Sequence, residues 1–166
     1  LGRAVDLPNG ELDRIRTEYR ARDAAAADSP YRWDNPGYVS YMQGLERSLL
    51  RAFADAGVRL EGARVLDVGC GSGYFLHRLR DYGAGEAHGI DLMEDRIAEG
   101  QKRYPALQLQ AGSATDLPFG DDEFDLVTQF TCLSSILDEG VRLEVAQEMR
   151  RVSRGWILSF DMRGLR

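Results

Sequence analysis

The spacing of apolar residues predicts two amphipathic helices near the start of the chain. Over residues 11–27 and 36–56 the apolar side chains recur at steps of three and four, which is the period of one helix face. Asn35 followed by Pro36 is typical of a helix start, and Gly57 indicates the end of the second helix. The apolar stripe of that helix consists of Tyr38, Met42, Leu45, Leu49 and Phe53.

Beyond residue 63 the pattern changes to short apolar strands separated by helices. The predicted strands cover residues 64–68, 87–91, 107–111, 124–130 and 156–161. Strands that alternate with helices form parallel sheets through right-handed crossovers. The sequence therefore predicts an α/β fold with a doubly wound, mostly parallel sheet in one structural domain. Residues 1–61 would form a helical cap or lid, and residues 62–166 would form the Rossmann-like core.

A glycine-rich turn follows the first predicted strand. Gly69, Gly71 and Gly73 occupy alternate positions there, which lets the backbone turn sharply and approach a ligand beside a helix N-terminus. Asp67 precedes the turn, and Asp91 ends the second strand. Ligands of doubly wound sheets bind at the carboxyl ends of the strands, so an acid at the end of the second strand can accept hydrogen bonds from both hydroxyls of a ribose.

Two classes of nucleoside ligand compete for this turn. A dinucleotide requires a further glycine at the position that Tyr74 occupies. It would also place its pyrophosphate beside Asp67, and two like charges at ~4 Å repel by about 4 kcal/mol at an effective dielectric constant of roughly 20. S-adenosylmethionine has no phosphate, and its ammonium and sulfonium groups are cations that Asp67 attracts. The charges favour S-adenosylmethionine, and a nicotinamide-dependent enzyme is the weaker alternative.

Taken together, the motifs resemble those of class I S-adenosylmethionine-dependent methyltransferases of the small-molecule type. Residues 67–73 (Asp-Val-Gly-Cys-Gly-Ser-Gly) are similar to the first motif of that family, and residues 89–92 (Gly-Ile-Asp-Leu) are similar to its ribose-binding segment. Residues 112–119 resemble its adenine loop, and residues 124–127 resemble its fourth strand. These segments follow one another in the order that the Rossmann-like methyltransferase fold requires.

The resemblance implies a set of cofactor-binding residues. Asp67 and the glycines would hold the methionine end of the cofactor, and Asp91 would hold its ribose. Ser113 and Ala114 would contact the adenine, although the family often has an acid where Ser113 stands. The full implied set is Asp67, Gly69, Cys70, Gly71, Gly73, Asp91, Leu92, Ser113, Ala114, Gln129 and Phe130. Tyr31 and Tyr38 would belong either to a lid over the cofactor and substrate or to ordinary core packing, and the sequence assigns no catalytic base and no metal ligand.

The composition bears on partners and on location. The net charge is −6 and no run of basic residues occurs, which disfavours nucleic acid as a partner. Lys102 is the only lysine and does not follow a glycine, which excludes a phosphate-binding P-loop. Cys70 and Cys132 indicate buried, reduced thiols, and neither a long apolar stretch nor a signal-peptide pattern is present. We therefore predict a cytoplasmic protein with a small-molecule substrate and no membrane partner.

The predicted reaction is methyl transfer from S-adenosylmethionine to an oxygen or nitrogen nucleophile of a small molecule, with S-adenosylhomocysteine as the product. The alternative is a non-catalytic S-adenosylmethionine-binding module or a truncated relative. The family's sheet has seven strands, whereas five are predicted here, and the fifth would be an apolar edge strand that invites pairing. We expect either that C-terminal strands are missing from the sequence or that a homodimer covers this edge.

Overall fold

The structure of the protein is a computed structural model that describes residues 9–25 and 32–161. Its contacts divide the chain into two compact units, Leu1–Arg59 and Leu60–Arg166, and each is described by itself. Within the described ranges no helix is both long and apolar enough to cross a membrane. Tyr31, one of the two predicted lid residues, lies outside the described residues.

The first unit contains helix α1 (Asn9–Ala24) and helix α2 (Pro36–Ala56). The side chain of Asn35 accepts a hydrogen bond from the backbone N–H of Gly37 at 2.9 Å, as expected of an N-cap. Gly57 has a φ of 71°, the left-handed conformation that ends many helices. The two residues that predict the bounds of α2 are thus its cap residues. Three members of its predicted stripe are buried, namely Met42, Leu49 and Phe53.

The second unit is a parallel sheet of five strands with helices between them. Its elements are β1 (Arg64–Val68), α3 (Tyr74–Asp81), β2 (Glu86–Asp91), α4 (Glu94–Arg103), β3 (Gln108–Ala111), β4 (Phe124–Phe130), α5 (Glu139–Val152) and β5 (Ser153–Phe160). The strand order is β3-β2-β1-β4-β5, and every pair of neighbours is parallel. The predicted α/β fold with a doubly wound sheet is confirmed.

The strand order places a crevice between β1 and β4. From β1 the chain proceeds outward to β2 and β3, and it then returns to the other side of β1 to form β4. Such a reversal leaves the loops after the two central strands diverging, and ligands bind there. Val65, Leu66 and Val68 of β1, beneath the crevice, are completely buried, as is usual for a central strand of a parallel sheet.

Strand β5 differs from its prediction at its start. It begins at Ser153, directly after α5, whereas the sequence predicts a start at Trp156. A Cβ atom on Gly155 would lie 2.4 Å from the carbonyl oxygen of Asp125, and the register between β4 and β5 is irregular at this place. Residues 153–155 (Ser-Arg-Gly) have the composition of a loop, but they form the irregular start of the strand. The close approach of the Asp125 carbonyl group requires a glycine at position 155.

At the described edge of the sheet β5 pairs only with β4. Trp156 and Ile157 of this strand are 48% and 41% exposed. The edge position agrees with the expectation from the sequence. The homodimer that would cover this edge stays a prediction.

Candidate functional site

The carboxyl ends of β1, β2 and β4 bring Asp67, Asp91 and Gln129 to the same edge of the sheet, beside the glycine turn. In the sheet register Asp67 of β1 lies opposite Gly89 of β2 on one side and Thr128 of β4 on the other. The backbone N–H groups of Gly69 and Cys70 both donate to the carbonyl oxygen of Ile90, at 2.8 and 3.1 Å. The glycine turn is therefore fastened to the end of β2 by the backbone itself.

Asp67 is a buried acid, with 2% of its surface exposed. Its Oδ1 accepts a hydrogen bond from the hydroxyl of Thr128 at 2.8 Å. The pKa of Asp67 is raised to about 7: burial is the largest cause, the Thr128 hydrogen bond opposes it, and the nearby charge of Asp91 adds to it. Within the part of the chain that the structure describes, none of the groups that shift this pKa is a cation. A buried carboxylate in this situation is stabilised by a cationic ligand.

Asp91 joins the end of β2 to the glycine turn. Its Oδ2 accepts a hydrogen bond from the backbone N–H of Gly71 at 2.7 Å, and its Oδ1 accepts one from the backbone N–H of Met93 at 2.8 Å. Each carboxylate oxygen has two lone pairs, so each retains the capacity for one more hydrogen bond. Asp91 is thus able to hold the start of α4 and two ligand hydroxyls at the same time.

The three glycines of the turn have different surroundings. Gly69, Gly71 and Gly73 all have positive φ angles, of 73°, 56° and 86°. A Cβ on Gly69 would lie 2.8 Å from both Cβ and Sγ of Cys132, and a Cβ on Gly73 would lie 2.9 Å from Leu107. At Gly71 no described atom outside residues 70–72 lies within 4 Å of the same position. The turn is therefore packed at both ends and open in the middle, where a ligand can approach the backbone.

Cys70 lies within the glycine turn, and Cys132 packs against Gly69 at the start of the turn. The side chain of Cys70 packs against Gly89, where a Cβ would be 2.7 Å from its Sγ. Burial raises the pKa of the Cys70 thiol, and burial together with Asp91 and Asp67 raises the pKa of Cys132 to about 12. Both thiols are consequently neutral at physiological pH, and neither is an activated nucleophile.

Gln129 and Phe130 at the end of β4 occupy different environments. The Gln129 side chain is completely buried, and its amide is engaged at both ends by residues of the chain. Phe130 stacks on Phe75 of α3, with ring centroids 4.0 Å apart and planes inclined by 17°. The implied contact of Gln129 with the cofactor stays a prediction. The structure gives this amide a second role, in holding the loop that follows.

The loop after β3 carries Ser113 and Ala114. The hydroxyls of Ser113 and Thr115 lie 2.7 Å apart, which closes the loop on itself. The part of the loop nearer to β4 is held by α5. Glu148 accepts a hydrogen bond from the backbone N–H of Leu117 at 2.8 Å, and Arg151 donates hydrogen bonds to the carbonyl oxygens of Leu117 and Phe119.

Glu148 and Arg151 were not singled out by the sequence analysis. An acid and an arginine three residues apart on a helix form an ion pair in many solvated helices, and here they form one at 2.7 Å. The sequence has no signal for the contact across 31 residues to the backbone of Leu117.

Two further predicted site residues are Leu92 and Tyr38. Leu92 is half-buried beside Asp91. Tyr38 belongs to the first unit, so its predicted role in a lid stays a prediction.

The comparison with known proteins agrees with this geometry. The family model described as "Methyltransferase domain" matches residues 65–155, which is more than half of the chain. The chain belongs to the class I S-adenosylmethionine-dependent methyltransferases, and S-adenosylmethionine is the cofactor of that family. The resemblance drawn from the sequence motifs is confirmed.

Among curated relatives, the chain is 37% identical over 99 residues to a demethylmenaquinone methyltransferase of Bacillus velezensis, covering 55% of this chain and 41% of the relative. It is 36% identical over 89 residues to a malonyl-[acyl-carrier protein] O-methyltransferase of Erwinia billingiae, covering 52% and 35%. A crystal structure of a Pyrococcus horikoshii OT3 protein superposes with a TM-score of 0.63 at 30% identity, covering 78% of this chain and 61% of that one. The chain thus spans less than half the length of these two curated relatives.

The residues at the crevice fit the family's cofactor in their chemistry. The donors and acceptors at the site are carboxylates on β1 and β2 together with an open stretch of backbone at Gly71. Carboxylates attract an ammonium and a sulfonium and repel a diphosphate. The same residues are therefore suited to S-adenosylmethionine and poorly suited to a dinucleotide.

Proposed function

We propose that the chain binds S-adenosylmethionine over the glycine turn, between Asp67 and Asp91, and supports transfer of its methyl group to an oxygen or nitrogen of a small molecule. The observation that carries the proposal is the buried carboxylate of Asp67, which no cation among the described residues offsets, beside an open glycine backbone. A buried acid costs free energy in the unliganded protein, and a cationic ligand offsets that cost.

Each part of the crevice has a separate task in this proposal. Asp67 attracts the cationic methionine end, and Asp91 accepts hydrogen bonds from the ribose hydroxyls while it holds Gly71 in place. Ser113 and Ala114 contact the adenine edge. The bound cofactor supplies an electrophilic methyl group. The protein aligns the acceptor with that group and excludes water, and these tasks require no nucleophile from the chain.

The acceptor is proposed to be a small molecule. The relatives' names give a demethylated menaquinone and a malonyl group on an acyl carrier protein as their substrates, and both are small acceptor groups. The net charge of −6 in this chain supports an acceptor without a long phosphate backbone. Of the two names, that of the second relative specifies an oxygen nucleophile.

The proposal is tested first by binding and then by transfer. Calorimetry with S-adenosylmethionine, S-adenosylhomocysteine and NAD is expected to show binding of the first two and none of the third. Absence of binding, or tighter binding of the diphosphate, contradicts the proposal.

Incubation with methyl-labelled S-adenosylmethionine and a panel of hydroxylated and amino small molecules is then expected to give labelled product. Binding without labelled product from any acceptor supports the alternative of a non-catalytic binding module.

A further inference from the structure

A buried amide holds the loop that follows β4. The Nε2 atom of Gln129 donates to the hydroxyl of Ser159 and to Oδ2 of Asp161, both at 2.5 Å. Its Oε1 accepts the backbone N–H of Cys132 at 2.8 Å and that of Leu133 at 3.3 Å. Gln129 is completely buried, whereas Ser159 is exposed and Asp161 is half-buried, so the network is shielded from water at its amide end.

Asp161 completes the same network from the end of β5. Its Oδ1 accepts the backbone N–H of Ser134 at 2.9 Å. Two side chains thus satisfy three successive backbone N–H groups in the loop 131–135, which contains a short 3-10 helix, Leu133–Ser135. N–H groups at the start of a helical turn have no partner within the helix and need one from outside.

This loop needs such a restraint because its backbone is strained. Thr131 has a φ of 62°, a conformation that is costly for a β-branched residue, by about 1–3 kcal/mol. Its N–H donates to the carbonyl oxygen of Phe160 at 2.7 Å, and its own carbonyl oxygen accepts the hydroxyls of Ser134 and Ser135. Thr131 is therefore hydrogen-bonded both to the end of β5 and to the far end of its own loop.

The loop in turn sets the space above the glycine turn. It carries Cys132, whose Cβ and Sγ would each lie 2.8 Å from a Cβ on Gly69. The charges of Asp91 and Asp67 both act on the Cys132 thiol, which places it in the same crevice as the two acids. A displacement of loop 131–135 would therefore change the room available beside the turn.

We propose that Gln129 and Asp161 are positioning residues of the cofactor site: by holding loop 131–135 they fix Cys132 against Gly69 and so set the shape of the pocket. The inference rests on the proposed function for the identity of the ligand. The placement of the loop can be tested without any ligand.

The test exploits the complementarity of the amide and the acid. Gln129→Glu alone brings two carboxylates together. In Asp161→Asn alone, the new NH2 group faces another donor, which is either the NH2 group of Gln129 or the backbone N–H of Ser134. The double variant Gln129→Glu/Asp161→Asn exchanges the two groups and restores a donor opposite each acceptor. If the two residues act through this contact, the effect of the double variant is much smaller than the sum of the effects of the two single variants.

The first measurement is the rate at which iodoacetamide alkylates Cys132, followed by mass spectrometry, with Cys70 as the internal control. In each single variant Cys132 is expected to react about tenfold faster than in the unmodified chain, since loss of one or two hydrogen bonds opens the loop. Cys70 is expected to react at an unchanged rate. The double variant is expected to return Cys132 to within about twofold of the original rate.

The second measurement is the affinity for S-adenosylhomocysteine by calorimetry. Each single variant is expected to bind about five- to tenfold more weakly, and the double variant to bind nearly as the original chain does. Asp125→Ala is the matched control, because Asp125 also bonds β4 to β5, through Arg154 at 2.7 Å, but at the opposite end of these strands. It is expected to lower the melting temperature without changing affinity or alkylation.

Three results would overturn the inference. Single variants that lose stability but keep the original alkylation rate and affinity would make the network merely structural. A double variant that recovers neither property would show that the pairing is not the cause. Effects of Asp125→Ala equal to those of the single variants would show a general response of the sheet. If the unmodified chain binds no S-adenosylhomocysteine, the proposed function fails, while the alkylation rates still decide the placement of the loop.

Discussion

The backbone N–H of Gly71 donates a hydrogen bond of 2.7 Å to Oδ2 of Asp91, and this contact joins the glycine turn after β1 to the end of β2. One carboxylate therefore shapes the turn and is also available to a ligand. We expect Asp91→Ala to weaken binding of S-adenosylhomocysteine by roughly 2–4 kcal/mol, on the order of a hundredfold or more, because ribose acceptors and the anchor of the turn are lost together.

Calorimetry measures this change directly. Asp95→Ala is a suitable control, since Asp95 is an exposed acid in the first turn of the neighbouring helix α4. An unchanged affinity in Asp91→Ala would remove Asp91 from the site.

The buried acid Asp67 predicts that cofactor binding depends on pH. Its pKa is raised to about 7 by burial, and its surroundings are Thr128, Asp91 and the neutral thiols of Cys70 and Cys132. A cationic ligand binds the ionised form. Affinity is therefore expected to fall about tenfold for each pH unit below about 7 and to level off above it.

Two measurements check this dependence. Calorimetry at pH 6 in buffers of different ionisation enthalpy is expected to show release of a proton on binding. Asp67→Asn is expected to bind more weakly at pH 8 and to lose the dependence on pH. Identical pH profiles for the two proteins would contradict the assignment.

The raised pKa of Asp67 also predicts that the free energy of unfolding of the unliganded protein depends on pH. The pKa of Asp67 is raised from 3.8 to about 7 in the folded state, so ionisation destabilises the fold as the pH rises through that interval. Asp67→Asn is expected to raise the free energy of unfolding by a few kcal/mol at pH 8 and to have little effect near pH 4. Urea denaturation at the two pH values measures the difference. A variant that is less stable than the original at pH 8 would show that a partner already offsets the buried charge.

The different surroundings of Gly69 and Gly71 predict different losses of folding stability when each is replaced by alanine. Both Gly69 and Gly71 have positive φ angles, so alanine is strained at either position. Only at Gly69 does the new Cβ also meet Cys132, at 2.8 Å. Gly69→Ala is therefore expected to destabilise the protein by about 1–3 kcal/mol more than Gly71→Ala. Thermal denaturation compares the two, and equal costs would show that Cys132 moves aside freely.

Several bounds of the fold follow from local chemistry. Asn35 and Gly57 are the caps of α2, and the glycines after β1 separate a buried strand from a helix. The side chain of Asp138, the residue directly before α5, accepts a hydrogen bond from the backbone N–H of Val141 at 3.0 Å and so caps that helix. These features were predictable because each depends on residues within a few positions of one another.

Features that depend on distant residues were not predictable in this way. The start of β5 was missed because Gly155 is required by the carbonyl oxygen of Asp125, which lies in another strand. The bond between Gln129 and Asp161 spans 32 residues, and Asp161 looks in the sequence like the ordinary end of a strand. Partners of this kind become visible only when the sheet register is known.

The direct passage from α5 to β5, with no residue between Val152 and Ser153, has a mechanical consequence. Glu148 and Arg151, near the C-terminal end of α5, hold the backbone of Leu117 and Phe119, and Asp161, directly after β5, holds the backbone of Ser134 in loop 131–135. Both restrained loops are thus attached to one uninterrupted stretch of chain, so a displacement of α5 along the sheet would be transmitted to both of them.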